Sequence, residues 1–243
     1  YLDYSITSKP GYLPEINVCR QLEQSSPVKE YEISITVPQG QRLEYALDNL
    51  KSKPLVTEKE GMKQVSWVLK NLPALSREPQ VSVIGGELPL LTATTEQKPM
   101  AFLSAQWERE ADARLRTLAG KLTAGAKSDE EKVKALHSYV IDNLYYSPLP
   151  LSETAYRIRP TAEVLRSAYA TEAEKANLLA ALLRAAGLKA EIGAVCVPSA
   201  NTASLGMGSI RELFVWTEAG GRQQALSLKG KTPSAVSWQK DHA

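Results

Sequence analysis

The sequence predicts an α+β protein in which an antiparallel β-rich half comes first and a helical half with its own C-terminal strands follows. Three observations predict this order. Apolar and polar residues alternate from Tyr31 to Val37, as in a half-buried strand. A long helical pattern with a capping signature spans 171–189, and three strand-like segments follow it. We therefore expect two domains, 1–107 and 108–243.

Composition sets limits on the kind of protein. Its 243 residues are 43% hydrophobic, which is ample for a core, and the formal net charge of +2 gives no electrostatic argument for nucleic-acid binding. No apolar run approaches the ~20 residues that a membrane span needs. Cys19 and Cys196 have neither disulfide-framework nor metal-site spacing, so we predict no metal and no cofactor. The chain starts at Tyr1 without an initiator Met, and we expect it to be part of a longer protein.

The first 107 residues are predicted to form a β-sandwich. Turn residues at 38–40 end the first alternating strand. A second alternating strand carries Val65, Trp67 and Leu69, and it follows a turn at 60–61. Four prolines then divide the chain into short extended pieces: Pro73, Pro79, Pro89 and Pro99. Many short strands separated by turn signals are typical of a sandwich.

The helix at 171–189 is predicted to be the centre of the second domain. Thr171 and Glu174 form a T-x-x-E capping box, and Gly187 stands where a left-handed residue ends a helix. Four leucines recur at helical spacing and indicate a buried stripe: Leu178, Leu179, Leu182 and Leu183.

Further elements surround this helix. A second capping signature at 128–131 opens a helix that continues to about Leu144. Strands are predicted at 190–197, 211–217 and 223–228. The segment 201–209 is rich in Gly, Ser and Thr, and we expect it to be a mobile loop.

The segment RPTAEVLRSAYATEAEKANLLAALLRAAGLKAEIGAV, 159–195, resembles the core of bacterial transglutaminase-like domains, which share the papain-like cysteine-hydrolase fold. In that family the segment reads approximately V-L-x-x-x-x-G-D-C-x-D-x-A-x-L-L-x-A-L-L-R-A-x-G-I-x-A. The matching positions are Val164, Leu165, Ala176, Leu178, Leu179, Ala181, Leu182, Leu183, Arg184, Ala185, Gly187 and Ala190. The resemblance implies a papain-like α+β core.

The N-terminal half resembles the end of a β-sandwich of unknown function that often precedes such cores. The shared features are the Trp67 strand, the run 71–75, the pair Glu78-Pro79 and the strand 89–91. Together the two resemblances imply a bacterial, exported protein that is located in the periplasm or at the cell surface.

The resemblance fails at the residues that carry the family's chemistry. That chemistry needs a cysteine activated at a helix N-terminus, a histidine within hydrogen-bond reach and an acid or amide that orients the histidine. Glu172 stands where the family's cysteine would stand. By resemblance the histidine falls at Glu212 or Leu213, and the acid falls at Ser227 or a close neighbour. We therefore interpret Glu172, Leu213 and Ser227 as degenerate triad positions and predict no catalytic residue.

No other residue replaces the lost groups. The chain has two histidines: His137, which falls in the middle of a predicted helix, and the penultimate His242. Cys196 falls late in a strand, where nothing activates a thiol. Glu172 itself complements the positive end of the helix, and this position favours its charged form over the protonated form that a general acid needs.

Three residues are candidates for lining the former cleft: Tyr169, Glu172 and Glu212. We expect a non-catalytic protein that binds a peptide, glycan or protein partner through the former active-site cleft or the interdomain surface. One alternative is a peptidase or transferase with a relocated or cysteine-independent site. A further alternative is a purely structural module of a larger envelope protein.

Overall fold

The computed structural model describes residues 15–22, 25–74, 88–96 and 100–230, and it confirms the predicted α+β class. The chain divides into two units. The first comprises Tyr1–Met100 with Cys196–Ile210, and the second comprises Ala101–Val195 with Arg211–Ala243. The expected domain limits, 1–107 and 108–243, stay a prediction.

The alternating N-terminal sequence forms two three-stranded antiparallel sheets in the first unit, with strand orders β1-β6-β3 and β2-β5-β4. The strands are β1 Asn17–Gln21, β2 Val28–Pro38, β3 Glu44–Asp48, β4 Leu55–Lys59, β5 Met62–Leu72 and β6 Leu90–Thr94. Ile33 pairs with Trp67 and Ile35 with Val65, so the alternation directs these side chains to one face. Trp67 is buried and meets the ring of Tyr45 edge-on at 5.5 Å.

The segment expected to be a mobile loop packs into the first unit. It contains two short 3₁₀ turns, Thr202–Ser204 and Met207–Ser209. The Ser204 hydroxyl lies 2.6 Å from that of Thr92 on β6. The Asn201 side chain donates to the Tyr45 carbonyl on β3 at 3.2 Å. These contacts fix a chain segment from the second half of the sequence against the sheet β1-β6-β3.

The second unit contains the helices and the C-terminal sheet. Its helices are α1 Ala101–Ser104, α2 Ala113–Thr123, α3 Asp129–Asn143, α4 Thr161–Ser167 and α5 Glu172–Ala185. Its strands are β7 Tyr145–Tyr146, β8 Tyr169–Ala170, β9 Ala190–Cys196, β10 Ile210–Ala219 and β11 Arg222–Ser227. The last three form a sheet of order β11-β10-β9, whereas β7 and β8 pair in parallel. Cys196, the last residue of β9, and Ile210, the first residue of β10, belong to the first unit.

Helix α5 is the central helix, as its capping box and leucines predict. The Thr171 hydroxyl accepts from Glu174 N–H at 3.4 Å, and the Glu174 carboxylate accepts from Thr171 N–H at 2.8 Å. Gly187 follows with φ +82°, the left-handed conformation expected there. Every residue from Ala173 to Leu183 is buried, including Lys175 and Asn177. The helix is therefore buried on all sides and not only along its leucine stripe.

Candidate functional site

Glu172 is the first residue of α5, and its carboxylate is held by two groups of the second unit. Oε1 accepts a hydrogen bond from the backbone N–H of Leu213 on β10 at 3.3 Å. The same oxygen lies 3.5 Å from Nζ of Lys229, just beyond β11. The Glu172 side chain is 18% exposed and that of Lys229 is 47% exposed. A carboxylate–ammonium pair therefore occupies the place where the resemblance puts a thiolate.

Burial is the largest influence on the pKa of Glu172. It raises the pKa of this carboxyl above its ordinary value of 4.5, although the Lys229 ammonium and the Leu213 N–H act in the opposite direction. The negative charge of Glu212 raises this pKa further. The effect of burial on the Glu172 carboxyl therefore outweighs that of the helix N-terminus, which was expected to favour the charged form.

Tyr146 and Lys175 also belong to this site, and the sequence analysis missed both. The parallel pairing of β7 with β8 sets Tyr146 beside Ala170, two residues before Glu172. Burial raises the pKa of the Tyr146 hydroxyl, and the charges of Glu172 and Glu212 add to this effect while Lys229 opposes it. Nζ of Lys175 lies 5.5 Å from the centre of the Tyr146 ring. The sequence patterns assign neither residue to the site, because their proximity to Glu172 depends on the β7–β8 pairing.

Glu174, two residues after Glu172, has a different environment. Arg159 binds it with two hydrogen bonds, Nε to Oε1 at 2.6 Å and Nη2 to Oε2 at 2.8 Å. Burial raises the pKa of Glu174, but the hydrogen bonds from Arg159 and the Thr171 N–H outweigh it, so this pKa lies below 4.5. Glu174 is therefore a fully engaged structural carboxylate.

Tyr169 contacts the same arginine. The Arg159 guanidinium lies 4.2 Å from the centre of the Tyr169 ring, and Nη2 donates to the Tyr169 carbonyl at 2.9 Å. Tyr169 pairs with Tyr145 in the β7–β8 ladder, so these two rings share a face of the short sheet opposite to that of Tyr146. The role of Tyr169 in lining a cleft with Glu172 stays a prediction.

Leu213 and Ser227, the two other degenerate positions, form hydrogen bonds through their backbone atoms. The Leu213 side chain is buried in the core, and its N–H binds Glu172. Ser227 pairs with Phe214 on β10, and its carbonyl is hydrogen-bonded to Nε2 of His137 at 2.6 Å. The ionisable side chains that act on Glu172 are those of Glu212 and Lys229. The assignment of these positions to a former triad stays a prediction.

In the part of the chain that the structure describes, no histidine or cysteine stands at the N-terminus of α5, where Glu172 lies. His137 is buried within α3, and His242 lies outside the described residues. Cys19 is in β1 and Cys196 ends β9, so neither thiol stands at a helix N-terminus. Within the described parts of the chain, no three His, Cys, Asp or Glu side chains group as ligands for a metal ion. No helix in these parts is long and apolar enough to cross a membrane.

Comparisons with known proteins support a transglutaminase-like core. A model of the Transglutaminase-like superfamily matches residues 116–224. A solved structure of a provisionally named protease from Parabacteroides distasonis is 32% identical with a TM-score of 0.83. That comparison covers 94% of this chain and 49% of the other, so this chain spans about half the length of that protein.

Two other solved structures are more distant. A provisionally named cysteine protease from Cytophaga hutchinsonii is 13% identical with a TM-score of 0.41, over 88% of this chain and 70% of that one. The periplasmic domain of TgpA from Pseudomonas aeruginosa is 12% identical with a TM-score of 0.37, over 93% and 85% of the two chains. No curated protein matches the chain. The segment 116–224 belongs to the Transglutaminase-like superfamily.

Proposed function

We propose that the transglutaminase-like domain is non-catalytic and binds a peptide, glycan or protein partner at the surface around Glu172. The observation that carries this proposal is the pairing of the Glu172 carboxylate with Lys229 at the N-terminus of α5. A carboxylate at this position cannot form the thioester that a cysteine nucleophile forms with an acyl substrate. Nε2 of the buried His137 is hydrogen-bonded to the Ser227 carbonyl. We therefore infer that this histidine does not act as a catalytic base at the Glu172 site.

The same groups suit a binding site. Lys229 is about half exposed and offers ammonium protons, whereas Glu172 and Glu212 offer carboxylate oxygens. Hydroxyl, amide and amine groups of a peptide or glycan can pair with such groups. Export to the periplasm or cell surface is part of this proposal and is supported by the family resemblance.

The alternative of an enzyme with relocated chemistry has one observation in its favour. A general acid must hold its proton near neutral pH, and the pKa of Glu172 is shifted in that direction. The further alternative, a purely structural module, is supported by the burial of α5 on all sides.

Peptide and glycan arrays test the binding proposal. The wild-type chain is compared with Glu172→Ala and Lys229→Ala, and Glu163→Ala serves as the matched control because its side chain is 44% exposed and lies on α4. We expect wild-type and control proteins to bind the same ligands and both site variants to lose them. Ligands that bind equally well to both site variants would show that the partner binds elsewhere. Folding of each variant is checked by circular dichroism.

A further inference from the structure

Buried polar atoms without hydrogen-bond partners cluster in the first unit. Four of them lie at one end of a sheet: Oε2 of Glu96, both side-chain amide atoms of Asn17 and Oγ of Ser209. The other two, Oδ2 of Asp48 and Nε1 of Trp67, belong to the same unit. The Glu96 residue is 6% exposed and Ser209 is fully buried. Buried polar groups are nearly always paired, and leaving several unpaired would cost much of a domain's stability. Across the described ranges of the chain, these atoms have no hydrogen-bond partner, so a bound partner would stabilise them.

The fold brings these three residues to one end of a sheet. Asn17 at the start of β1 pairs with Thr94 at the end of β6, and Glu96 follows two residues later. The turn that ends at Ser209 packs against the same place. A Cβ atom on Gly206 would collide with Oδ1 of Asn17 and lie 2.8 Å from Oγ1 of Thr94. Only glycine lets this turn approach the Asn17 amide so closely.

Charge at this end of the sheet is negative. Glu15 lies beside Glu96, and its Oε2 accepts from the Thr95 hydroxyl at 2.6 Å. Neither carboxylate has an ion-pair partner among the described residues. Burial and the charge of Glu15 raise the pKa of Glu96, whereas the Met207 N–H and the Asn17 amide lower it. The Asn17 amide lowers the pKa of Glu96 although neither of its polar atoms forms a hydrogen bond with acceptable geometry.

We propose that Glu96, Asn17 and Ser209 bind a hard cation, and that Ca²⁺ is the ion that fits. Their carboxylate, amide and hydroxyl oxygens are the ligands that hard cations prefer, and Glu15 supplies a second negative charge. Ca²⁺ accepts irregular sets of protein oxygens, whereas Mg²⁺ demands octahedral geometry and keeps its waters. The bound ion fixes the 206–209 turn to the adjoining ends of β1 and β6.

Calcium binding to the full chain tests this proposal. The protein is stripped with EDTA and titrated with CaCl₂, MgCl₂ and NaCl by calorimetry and thermal unfolding. We expect saturable Ca²⁺ binding that raises the Tm by roughly 5–10 °C at a 100-fold excess over Kd. Glu96→Gln should weaken Ca²⁺ binding at least about tenfold. Glu30→Gln, which removes an exposed carboxylate paired with Lys70, should leave it unchanged.

Asn17→Asp provides a second variant in case Glu96→Gln does not fold. The added carboxylate should tighten Ca²⁺ binding. The proposal is overturned if the wild-type protein shows no response to Ca²⁺, if it responds equally to Mg²⁺ or Na⁺, or if Glu96→Gln retains the full response. It is also overturned if Asn17→Asp fails to bind Ca²⁺ more tightly, since a carboxylate added to the ligands of a bound cation must strengthen its binding.

Discussion

The two glutamates in the first turn of α5 are neighbours with opposite environments. Glu174 is held by two short hydrogen bonds from Arg159 and one from Thr171 N–H, and its pKa is lowered. Glu172 has one 3.3 Å hydrogen bond from Leu213 and one 3.5 Å ion pair with Lys229, and its pKa is raised. Both are partly shielded from water, so the difference comes from the partners.

Under the proposed function, this difference separates a residue that maintains the fold, Glu174, from one that binds a ligand, Glu172. Hydrogen bonds from Arg159 and Thr171 engage both carboxylate oxygens of Glu174. The contacts of Glu172 are longer, and one of them is to the half-exposed Lys229. Replacing Lys229 by a ligand group costs little, because a partly exposed ion pair contributes only about 0–1 kcal/mol.

The largest effect is expected from Glu174→Ala. This change leaves the Arg159 guanidinium without its bidentate partner and removes half of the capping box, so we expect a loss of roughly 3 kcal/mol in the free energy of unfolding. Denaturant titration measures it. Glu163→Ala, which removes a weak 3.9 Å contact to the same arginine, should cost less than about 0.5 kcal/mol. Equal losses in the two variants would contradict the structural role of Glu174.

Lys175→Met is expected to stabilise the protein by about 1 kcal/mol at pH 7. Burial lowers the pKa of the Lys175 ammonium, and the charge of Asp142 only partly opposes this shift. Because the folded-state pKa lies below 10.5, ionised Lys175 disfavours the folded state at neutral pH, and this penalty disappears as the pH rises through the unfolded value. The advantage of Met should therefore shrink above about pH 10. A destabilised Lys175→Met would mean that this ammonium is paired in solution.

The sequence identified the local determinants of the fold but not the partners within the site. The capping box, the leucines of α5 and the left-handed Gly187 follow from short-range patterns, and the structure confirms them. Lys229 is 57 residues from Glu172 and belongs to no motif, so only the β10–β11 sheet brings it close. The 201–209 segment differs from its prediction as a mobile loop for a similar reason. Its composition is that of a loop, and its order comes from contacts with distant strands.

Thr171→Ala should cost about 0.5–1 kcal/mol, measured by denaturant titration. The Thr171 hydroxyl caps the N-terminus of the helix that carries both glutamates. Its 3.4 Å distance from Glu174 N–H is long, which favours the lower end of this range. Thr171→Ser keeps the hydroxyl and is the matched control. No change in Thr171→Ala would indicate that Glu174 alone maintains the cap.

The smallest effect is expected from Glu172→Gln, which should change stability by less than about 1 kcal/mol at pH 7. Its dependence on pH is the sharper test of the comparison. With its pKa raised, Glu172 favours the folded state below its unfolded pKa of about 4.3, and this contribution is lost as the pH rises through the folded-state pKa. With its pKa lowered, Glu174 contributes stability above that value, which is lost as the pH falls through its folded-state pKa.

Denaturant titrations between pH 3 and pH 8 measure how the free energy of unfolding of each variant changes with pH. Glu172→Gln should become more stable relative to wild type as the pH rises from about 4. Glu174→Gln should become less stable relative to wild type as the pH rises toward about 4.3, with little further change above that value. Parallel behaviour of the two variants would contradict the assignment of different roles to the two carboxylates.

The most direct test of the central claim, that the Glu172 site is not catalytic, is a turnover assay on glutamine-containing peptides, with thiol labelling under native conditions in parallel. We predict no transglutaminase or peptidase turnover and no labelling by an active-site thiol reagent. Glu172→Cys should supply a labelled thiol but little turnover, because a nucleophile without its base retains little of the rate. Turnover by the unmodified protein would contradict the account. If Glu172→Ala abolishes that turnover, the Glu172 site is catalytic; if the turnover survives both Glu172→Ala and Cys196→Ala, the chemistry lies at another site.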